Sequence, residues 1–571
     1  MSSVGGRESW RVAALFVALT LVATYPVIRA PASLAYFDHS DAKLNMWIMA
    51  WDAHALRHDP LNLFNANIFF PEPRTLAYSE TLLGYFPLFG PILWLGGSPA
   101  LAYNVVLLFS FAASGFAMYL LARHVTGRHF PAIVAGIAYA FVPYRFVHIP
   151  QIQLEAMEWI PLGFLCLHLF IERGGRKYAF GLGACVAVET LCCVYYGVFL
   201  VIALVVGGTI LAVFDRRGRD PRKLATLALV ACVAAIAVAP VAGEYLNVHR
   251  QRYLERPIAE IVSKSAEPAT YLASTARLHE RLWARSLPAA RDYLFPGIAA
   301  LILAAIGMAG ALKMSDRVPA RYDRPRFVLI YGGIAAVGLL ASSGPQGFAG
   351  GVLYRFLYFA VPIFHGLRQA TRFGVLVIFG VCVLAAIGAA MVEARFRLGT
   401  VGQTACVCLI FLELCVAPLR RDRPGGVDLI QVPRTPPEYV WLTEQPGKFA
   451  ILELPYAYEG QLWENASYVY WSTIHWHGLV DAYSGFAPPN YASFARILAG
   501  FPDRLSQEAL ELRDVRYVII HMDRYRQWNP ALNVDRINRT TWLQRVAQFP
   551  DADVFEVEAD DRAIVHARRP R

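Results

Sequence analysis

The sequence predicts an α-helical polytopic membrane protein with a C-terminal soluble α/β domain, and three observations predict it. About eleven apolar stretches fill residues 10 to 418, nearly all long enough to cross a bilayer, which takes about 20 mostly apolar residues. Apolar residues make up 56% of the chain and charged residues only 17%, below the roughly 25% usual in soluble domains. From Arg420 onward the chain turns polar and prolines gather (Pro424, Pro433, Pro436, Pro437), which divides a membrane region 1–419 from a second region 420–571.

The first stretch, Trp10–Ala30, follows Arg7 and Arg11. It is longer than a signal-peptide core and no small-residue cleavage site follows, so it reads as a retained anchor. The others run Leu101–His124, Phe130–Val147, Gln153–Glu172, Lys177–Tyr195, Tyr196–Phe214, Lys223–Ala242, Tyr293–Leu312, Phe327–Ser343, Arg372–Glu393 and Thr400–Pro418. Thr81–Gly97 is also apolar, but it is short and holds Pro87 and Pro91, and reads as a re-entrant or interfacial helix.

Basic residues sit in alternate short connections: Arg123 and Arg128, Arg173 to Lys177, Arg216 to Lys223, Lys313 to Arg326, and Arg395 with Arg397. Such loops belong on the cytoplasmic side of the membrane. If Thr81–Gly97 does not span, residues 31–100, 243–291, 345–371 and the C-terminal region all face outward. If it spans, every later loop flips. The net charge of +10 is accounted for by basic loops beside anionic lipid, and no nucleic-acid partner is expected. All nine cysteines fall inside predicted spans, which argues for packing rather than a disulfide or zinc framework.

The first outer loop carries the most chemistry. In Tyr36-Phe-Asp-His-Ser-Asp-Ala-Lys-Leu-Asn-Met-Trp-Ile-Met-Ala-Trp-Asp-Ala-His54, Asp38 and Asp41 lie three residues apart and share a face if a helix starts early. Leu44, Trp47, Ile48 and Trp51 recur at helical spacing, as in an amphipathic helix at a membrane surface. Carboxylates partly desolvated at that boundary are suited to accept a proton. The competing account is structural: Asp38 or Ser40 caps the helix and Asp41 favours its N-terminal dipole.

A resemblance extends this reading. The runs Ser40-Asp41-Ala-Lys-Leu-Asn45-Met-Trp47, Trp51-Asp-Ala-His54-Ala-Leu56 and Asn65-Ala-Asn-Ile-Phe-Phe-Pro71 resemble the first outer loop of bacterial GT-C-type membrane glycosyltransferases. Similar runs follow at Ala102-Tyr-Asn104, Pro143-Tyr-Arg145, Trp159-Ile-Pro-Leu162, Tyr195-Tyr196-Gly197, Leu294-Phe-Pro-Gly297, Leu367-Arg-Gln-Ala-Thr-Arg-Phe373, Glu453-Leu-Pro-Tyr456 and Tyr483-Ser-Gly-Phe486. The likeness covers nearly the whole chain, though no single motif is diagnostic. It implies transfer of a sugar from a polyprenyl-phosphate carrier to a glycan, lipid or protein acceptor on the outer face. It also implies a loop carboxylate acting as general base, or holding a divalent cation in some members. The family's aspartate falls on Asp41. Asp38 is the alternative, because Ser40 stands where relatives usually have Gly.

A phosphate leaving group needs positive charge or dipoles. Arg368 and Arg372, four apart at the entrance of a span, suit it by their guanidinium geometry, with Arg145 a weaker choice. Snorkelling at the interface is the competing account. His148, Gln151, Gln153 and Glu155 form a polar cluster at a span junction, and His54, Glu80, His148, Gln153, Tyr195 and Tyr196 are expected to line the substrate space. Gln151 stands where similar chains often carry His, so no metal ligand is assigned, and a divalent cation is left as the one candidate cofactor. For Glu80 a place in the first turn after a Ser79 cap competes equally. Glu189 and Glu413 are acids inside predicted spans but are not expected to be catalytic. No Walker motif or GxSxG elbow occurs.

In the C-terminal region Phe449–Leu454, Tyr517–His521, Val554–Glu558 and Ala563–His566 are expected strands, while Pro502–Leu512 and Thr541–Phe549 are expected helices. Tyr468–Tyr483 is dense in aromatics and reads as packing against the membrane region, with an acceptor-facing surface as the alternative. His475 and His477, two apart, would share one face of a strand. A transporter for lipid-linked saccharides would favour internal repeats and paired broken helices. No convincing repeat is found, so the expected function is an inverting glycosyltransferase, with transport or non-catalytic scaffolding as alternatives.

Overall fold

In the computed structural model residues 4–252, 256–287, 292–312, 324–347, 351–419, 429–458, 460–528 and 534–558 are described. The membrane region begins with α1 (Val4–Ala23), a short β1 (Leu34–Ala35), α2 (Ser40–His58), α3 (Phe86–Trp94), α4 (Pro99–Thr126), α5 (His129–Ala140) and α6 (Pro143–His148). It continues with α7 (Trp159–Arg173), α8 (Arg176–Cys192), α9 (Val194–Phe214), α10 (Pro221–Arg252), α11 (Ile258–Val262) and α12 (Arg277–Leu282). Last come α13 (Ile298–Leu312), α14 (Arg324–Ser342), α15 (Val352–Ala360), α16 (Gly374–Phe396) and α17 (Thr400–Glu413).

Among the described residues seven segments are long and apolar enough to cross a membrane: Pro99–Thr126, His129–His148, Ile152–Arg173, Val194–Phe214, Pro221–Arg250, Pro325–Ser342 and Ala370–Phe396. Other expected spans fall on shorter helices, with 17 residues in α8, 15 in α13 and 14 in α17. The expected Trp10–Ala30 stretch stops being helical at Ala23, close before Pro26, whose missing N–H cannot continue a helix. Phe130–Val147 divides ahead of Pro143, which disfavours helical backbone at the residue before it. The break between α8 and α9 falls at extended Cys193 rather than between Tyr195 and Tyr196.

Local chemistry sets several ends. Ser98 caps α4 by accepting the Leu101 N–H at 3.1 Å, with Pro99 at the first helical position, and Gly127 closes the helix at φ 70°. α13 and α16 cross at glycines: a Cβ on Gly388 would lie 1.8 Å from the Leu303 carbonyl oxygen. Small residues of this kind let helix backbones approach closely.

α3 has nine residues, about 13.5 Å of helix, too short to cross hydrocarbon. The strands agree with that. β1 pairs antiparallel with β2 (Ile430–Gln431), Leu34 opposite Gln431, and the Ile68 backbone bridges Leu479. Strand pairs cannot straddle a bilayer, so the first loop and the C-terminal region lie on the same face.

The C-terminal region adds α18 (Pro437–Thr443), β3 (Ala450–Leu454), α19 (Ala466–His475), β4 (Gly478–Leu479), α20 (Tyr491–Leu498), α21 (Arg504–Glu511), β5 (Val515–Ile520), α22 (Met522–Trp528), α23 (Val534–Asn538), β6 (Leu543–Gln548) and β7 (Asp553–Val557). The five-stranded sheet has the order β4-β3-β5-β7-β6, with β4, β3 and β5 parallel and β7 and β6 antiparallel. The expected helix Thr541–Phe549 is corrected to the edge strand β6. Its pairing with β7, closed by the Phe549 N–H donating to Ala552 O at 2.8 Å, overrides a weak local pattern. The expected strand Ala563–His566 lies outside the described residues, as do Lys313, Arg317 and Arg321 of the basic loops and the linker prolines up to Pro424.

The aromatic segment forms α19, which packs on α2. Tyr468, Tyr470 and Trp471 are buried, and Phe37 meets Tyr470 edge-on at 4.7 Å. His475 and His477 do not share a strand face, because Trp476 between them is left-handed at φ 58° and ends the helix. Their rings stack at 5.5 Å, and the described residues hold no group of three or more ligands able to bind a metal ion.

Candidate functional site

The site starts at the N-terminus of α2. The cap is neither Asp38 nor Ser40 but His39, whose Nδ1 accepts the Asp41 N–H at 3.2 Å. This leaves the half-buried Asp41 carboxylate free for other partners. The Tyr483 hydroxyl donates to Oδ1, and the Gln151 amide donates to Oδ2 at 2.8 Å. Ser40 donates to the Tyr483 oxygen at 3.4 Å. Burial, then the adjacent carboxylate, pushes the Tyr483 phenol well above its ordinary range, so it stays a donor. Gln151 is presented by a loop clamped from below. Asn45 donates to the Pro150 carbonyl at 3.0 Å, and the Tyr103 hydroxyl donates to the Ile149 carbonyl.

Asp38 is exposed and its charge acts on Lys43. Lys43 donates to Ser467 at 2.9 Å and lies over Phe37, so the two aspartates face different surroundings.

Arg372 belongs to a neighbouring cluster, linked to Gln151 through His148 and Asp292. Arg372, 7% exposed at the start of the span carried by α16, lies 4.6 Å over the Tyr195 ring, and its Nε has no hydrogen-bond partner. Glu80 approaches from the first loop, accepting the Val194 N–H at 3.1 Å and facing the Cys193 thiol at 3.8 Å. Burial raises the Glu80 carboxyl to about 7 against the opposing pull of Arg372. Ser79 ends a short 3-10 turn instead of capping α3. His148 ion-pairs with Asp292 at 3.0 Å and directs its other ring nitrogen to the Tyr144 carbonyl at 2.8 Å. Burial opposes the Asp292 carboxylate, but His148, Thr371 and Arg372 outweigh it and hold its pKa low. Tyr144 and Tyr196 share a hydroxyl hydrogen bond at 2.9 Å.

A second cationic group completes the rim. Arg368, Lys264 and Arg256 converge on Glu260 at 2.8, 3.2 and 3.7 Å, three cations to one carboxylate. Partial burial disfavours the Glu260 anion, yet these cations keep it below the usual carboxylate range. Arg256 donates to the Gly485 carbonyl and lies 4.0 Å over Phe486, so this rim reaches the segment that carries Tyr483. Arg368 is within electrostatic reach of Tyr483, and Arg256 of Tyr195.

Three expected residues lie elsewhere. Arg145 is fully buried in an ion pair with Glu155 at 2.7 Å, donates to Ser110 at 3.0 Å and lies over Phe111, an enclosed arrangement that corrects its expected phosphate role. His54 stands 13 residues along α2 from Asp41, about 20 Å of helix, and stacks on Trp476 at 4.1 Å. Burial lowers its imidazole to about 4. Gln153 sits in the turn Ile152–Glu155 with its amide oxygen unpaired. Glu413 caps α13, accepting the Ile298 and Ala299 N–H groups, and meets His279 at 3.1 Å. Glu189 is buried with neither oxygen hydrogen-bonded.

Tyr483, Asp292, Arg256, Glu260 and Lys264 were not singled out from the sequence, and Gln151 only as one of a polar cluster. The Arg256-Glu260-Lys264 spacing of four was a readable signal.

No protein-family model matches the chain and no curated protein resembles it in sequence. Among solved structures, the arabinofuranosyltransferase AftD from Mycobacteria superposes with a TM-score of 0.59 at 15% identity over 97% of this chain, and a mutant form of it with 0.57. The chain has the GT-C fold. The chain spans 40% of the length of AftD. A lower score, 0.46 at 13% identity, relates it to the oligosaccharyltransferase AglB from Archaeoglobus fulgidus, covering 91% of this chain and 70% of that one.

Proposed function

We propose that the protein transfers a sugar from a polyprenyl-phosphate carrier to a glycan, lipid or protein acceptor on the outer face of a bacterial inner membrane. The C-terminal region 420–571 is then extracytoplasmic beside the first loop 31–100. One observation carries the reading: a half-buried Asp41 is held by Tyr483 and Gln151, and Arg368 acts on Tyr483 from the cluster it forms with Glu260, Lys264 and Arg256.

Asp41 is the general base in this proposal, and Asp38 is not. Each Asp41 oxygen accepts one hydrogen bond and keeps a lone pair for the acceptor hydroxyl. The acceptor oxygen forms a bond to the anomeric carbon as its proton passes to Asp41. The anomeric carbon–phosphate oxygen bond breaks, and its electron pair leaves with the carrier phosphate. A single displacement of this kind inverts the anomeric centre and needs one carboxylate rather than a glycosidase pair. Arg372 and Arg368 stabilise the charge that develops on the leaving phosphate, with Lys264 and Arg256 adding field at the rim. The Tyr195 ring lies under Arg372, the Glu80 and Asp292 carboxylates act on it electrostatically, and His148 holds Asp292 while Tyr196 bonds Tyr144.

The test is mass spectrometry of envelope glycans and polyprenyl-linked sugars from a strain lacking this protein. The expected result is one glycan short of a sugar with accumulation of its lipid-linked donor. Unchanged glycans and unchanged donors would refute the proposal.

A further inference from the structure

One cavity lies apart from this site, in the seam between the first loop and the C-terminal region. It is a half-open cleft of about 220 Å³, less than the roughly 300–1,000 Å³ of pockets for drug-sized ligands. That is room for a single small ring. Tyr456 and Tyr491 stack at 4.8 Å in its wall, and Phe494 meets Tyr456 edge-on at 5.5 Å. Polar groups of both signs stand among these rings. Asn490 donates to Glu72 at 2.9 Å, and the Arg513 guanidinium lies 3.8 Å over Phe494. The Tyr456 hydroxyl is buried without a well-formed hydrogen bond, since that of Tyr491 beside it is engaged by Asn465 and Ala457.

The accessible apolar groups Phe70, Pro71 and Leu512, flanked by an amide, a carboxylate and a guanidinium, match the chemistry of a sugar ring. Its C–H face packs on these apolar groups and its hydroxyls use the polar groups. One acidic and one basic group in the wall favour a neutral sugar over an anion.

A single short segment joins this cavity to the candidate base. Tyr483 holds Asp41, Gly485 and Phe486 hold Arg256, and Pro488, Asn490 and Tyr491 line the cavity. Tyr491 also accepts the Ala482 N–H at 3.3 Å, one residue before Tyr483. We infer that the cavity binds a neutral sugar residue of the acceptor, near the residue that is extended, an inference that rests on the transferase reading above.

Full-length protein in nanodiscs is titrated with methyl glycosides of neutral hexoses and pentoses and followed by saturation-transfer NMR. At least one glycoside binds saturably with a millimolar Kd, the scale expected for one ring. Asn490→Ala and Leu512→Ser each weaken it about tenfold while thermal unfolding stays near wild type, and Asp41→Asn binds as wild type. No saturable binding by any glycoside, or binding unchanged in both cavity variants, overturns the inference. Binding that disappears in Asp41→Asn also overturns it, by placing the sugar at Asp41. Saturable binding at the cavity in a protein without transferase activity leaves this assignment standing while the transferase reading falls.

Discussion

Replacing Asp41 by asparagine separates catalysis from folding. The two side chains have the same shape, so the Tyr483 hydroxyl keeps an oxygen acceptor and Gln151 turns its amide to accept from the new NH2 group. Two hydrogen bonds to a charged group, worth about 1.5–3 kcal/mol each, become neutral ones worth about 0.5–1.5 kcal/mol. The stability loss is therefore about 1–3 kcal/mol, small for a helical bundle of this size. The loss of the base is larger in effect, since a positioned general base contributes about 10²–10⁴-fold, or roughly 3–5.5 kcal/mol of barrier. The assay complements the deletion strain with wild type, Asp38→Asn and Asp41→Asn at matched membrane levels. Glycan completion and thermal unfolding of each purified protein are then measured. Wild type and Asp38→Asn restore the glycan, and Asp41→Asn does not, although it melts within a few degrees of wild type. Full rescue by Asp41→Asn, or equal failure of both variants, would refute the assignment.

Four further outcomes follow from the geometry. Arg372→Lys keeps charge but loses the planar fork over Tyr195, and is expected to cut turnover by about 10²-fold with weaker binding of polyprenyl monophosphate, read by titration in nanodiscs. Because the folded Glu80 carboxyl is raised to about 7, wild-type stability falls as pH climbs from about 4.5 to 7 and is level above that, a total of about 3 kcal/mol. Glu80→Gln removes this slope and melts higher than wild type at pH 8; an unchanged slope in thermal scans at pH 5 and pH 8 would refute the burial argument. Glu413→Ala strips the cap from α13 and is expected to cost about 1–2 kcal/mol, largely restored in Glu413→Gln, by the same melting assay. Gly388→Ala drives a methyl into the Leu303 carbonyl and lowers the melting temperature by several degrees, whereas Gly399→Ala, where a Cβ meets nothing, does not.

What the sequence made legible was local. The run of spans, the α2 helix with Asp41 in its first turn, and β3, β5 and β7 are all written in periodicity and residue type over short windows. β6 was not, because an edge strand with one buried position, Leu543, owes its form to β7 and not to its own pattern. The same distinction governs the site. Asp41 stood out through the family resemblance and Arg372 through its chemistry and spacing, but Tyr483 reaches Asp41 across 442 residues and Gln151 across 110, separations that no local signal encodes. Arg145 shows the reverse error. A lone cation at a span end reads as available until Glu155, ten residues on, closes over it in a turn.

The hydrogen bond between Tyr483 and Asp41 bears on how this protein comes into being. Ribosomes make residue 41 early, long before residue 483 is translated. Until the C-terminal region has folded against the first loop, Asp41 lacks its phenol and the Arg256 side chain lacks Gly485. Under the proposed function, a chain truncated before residue 483 is thus an inserted but incomplete catalyst.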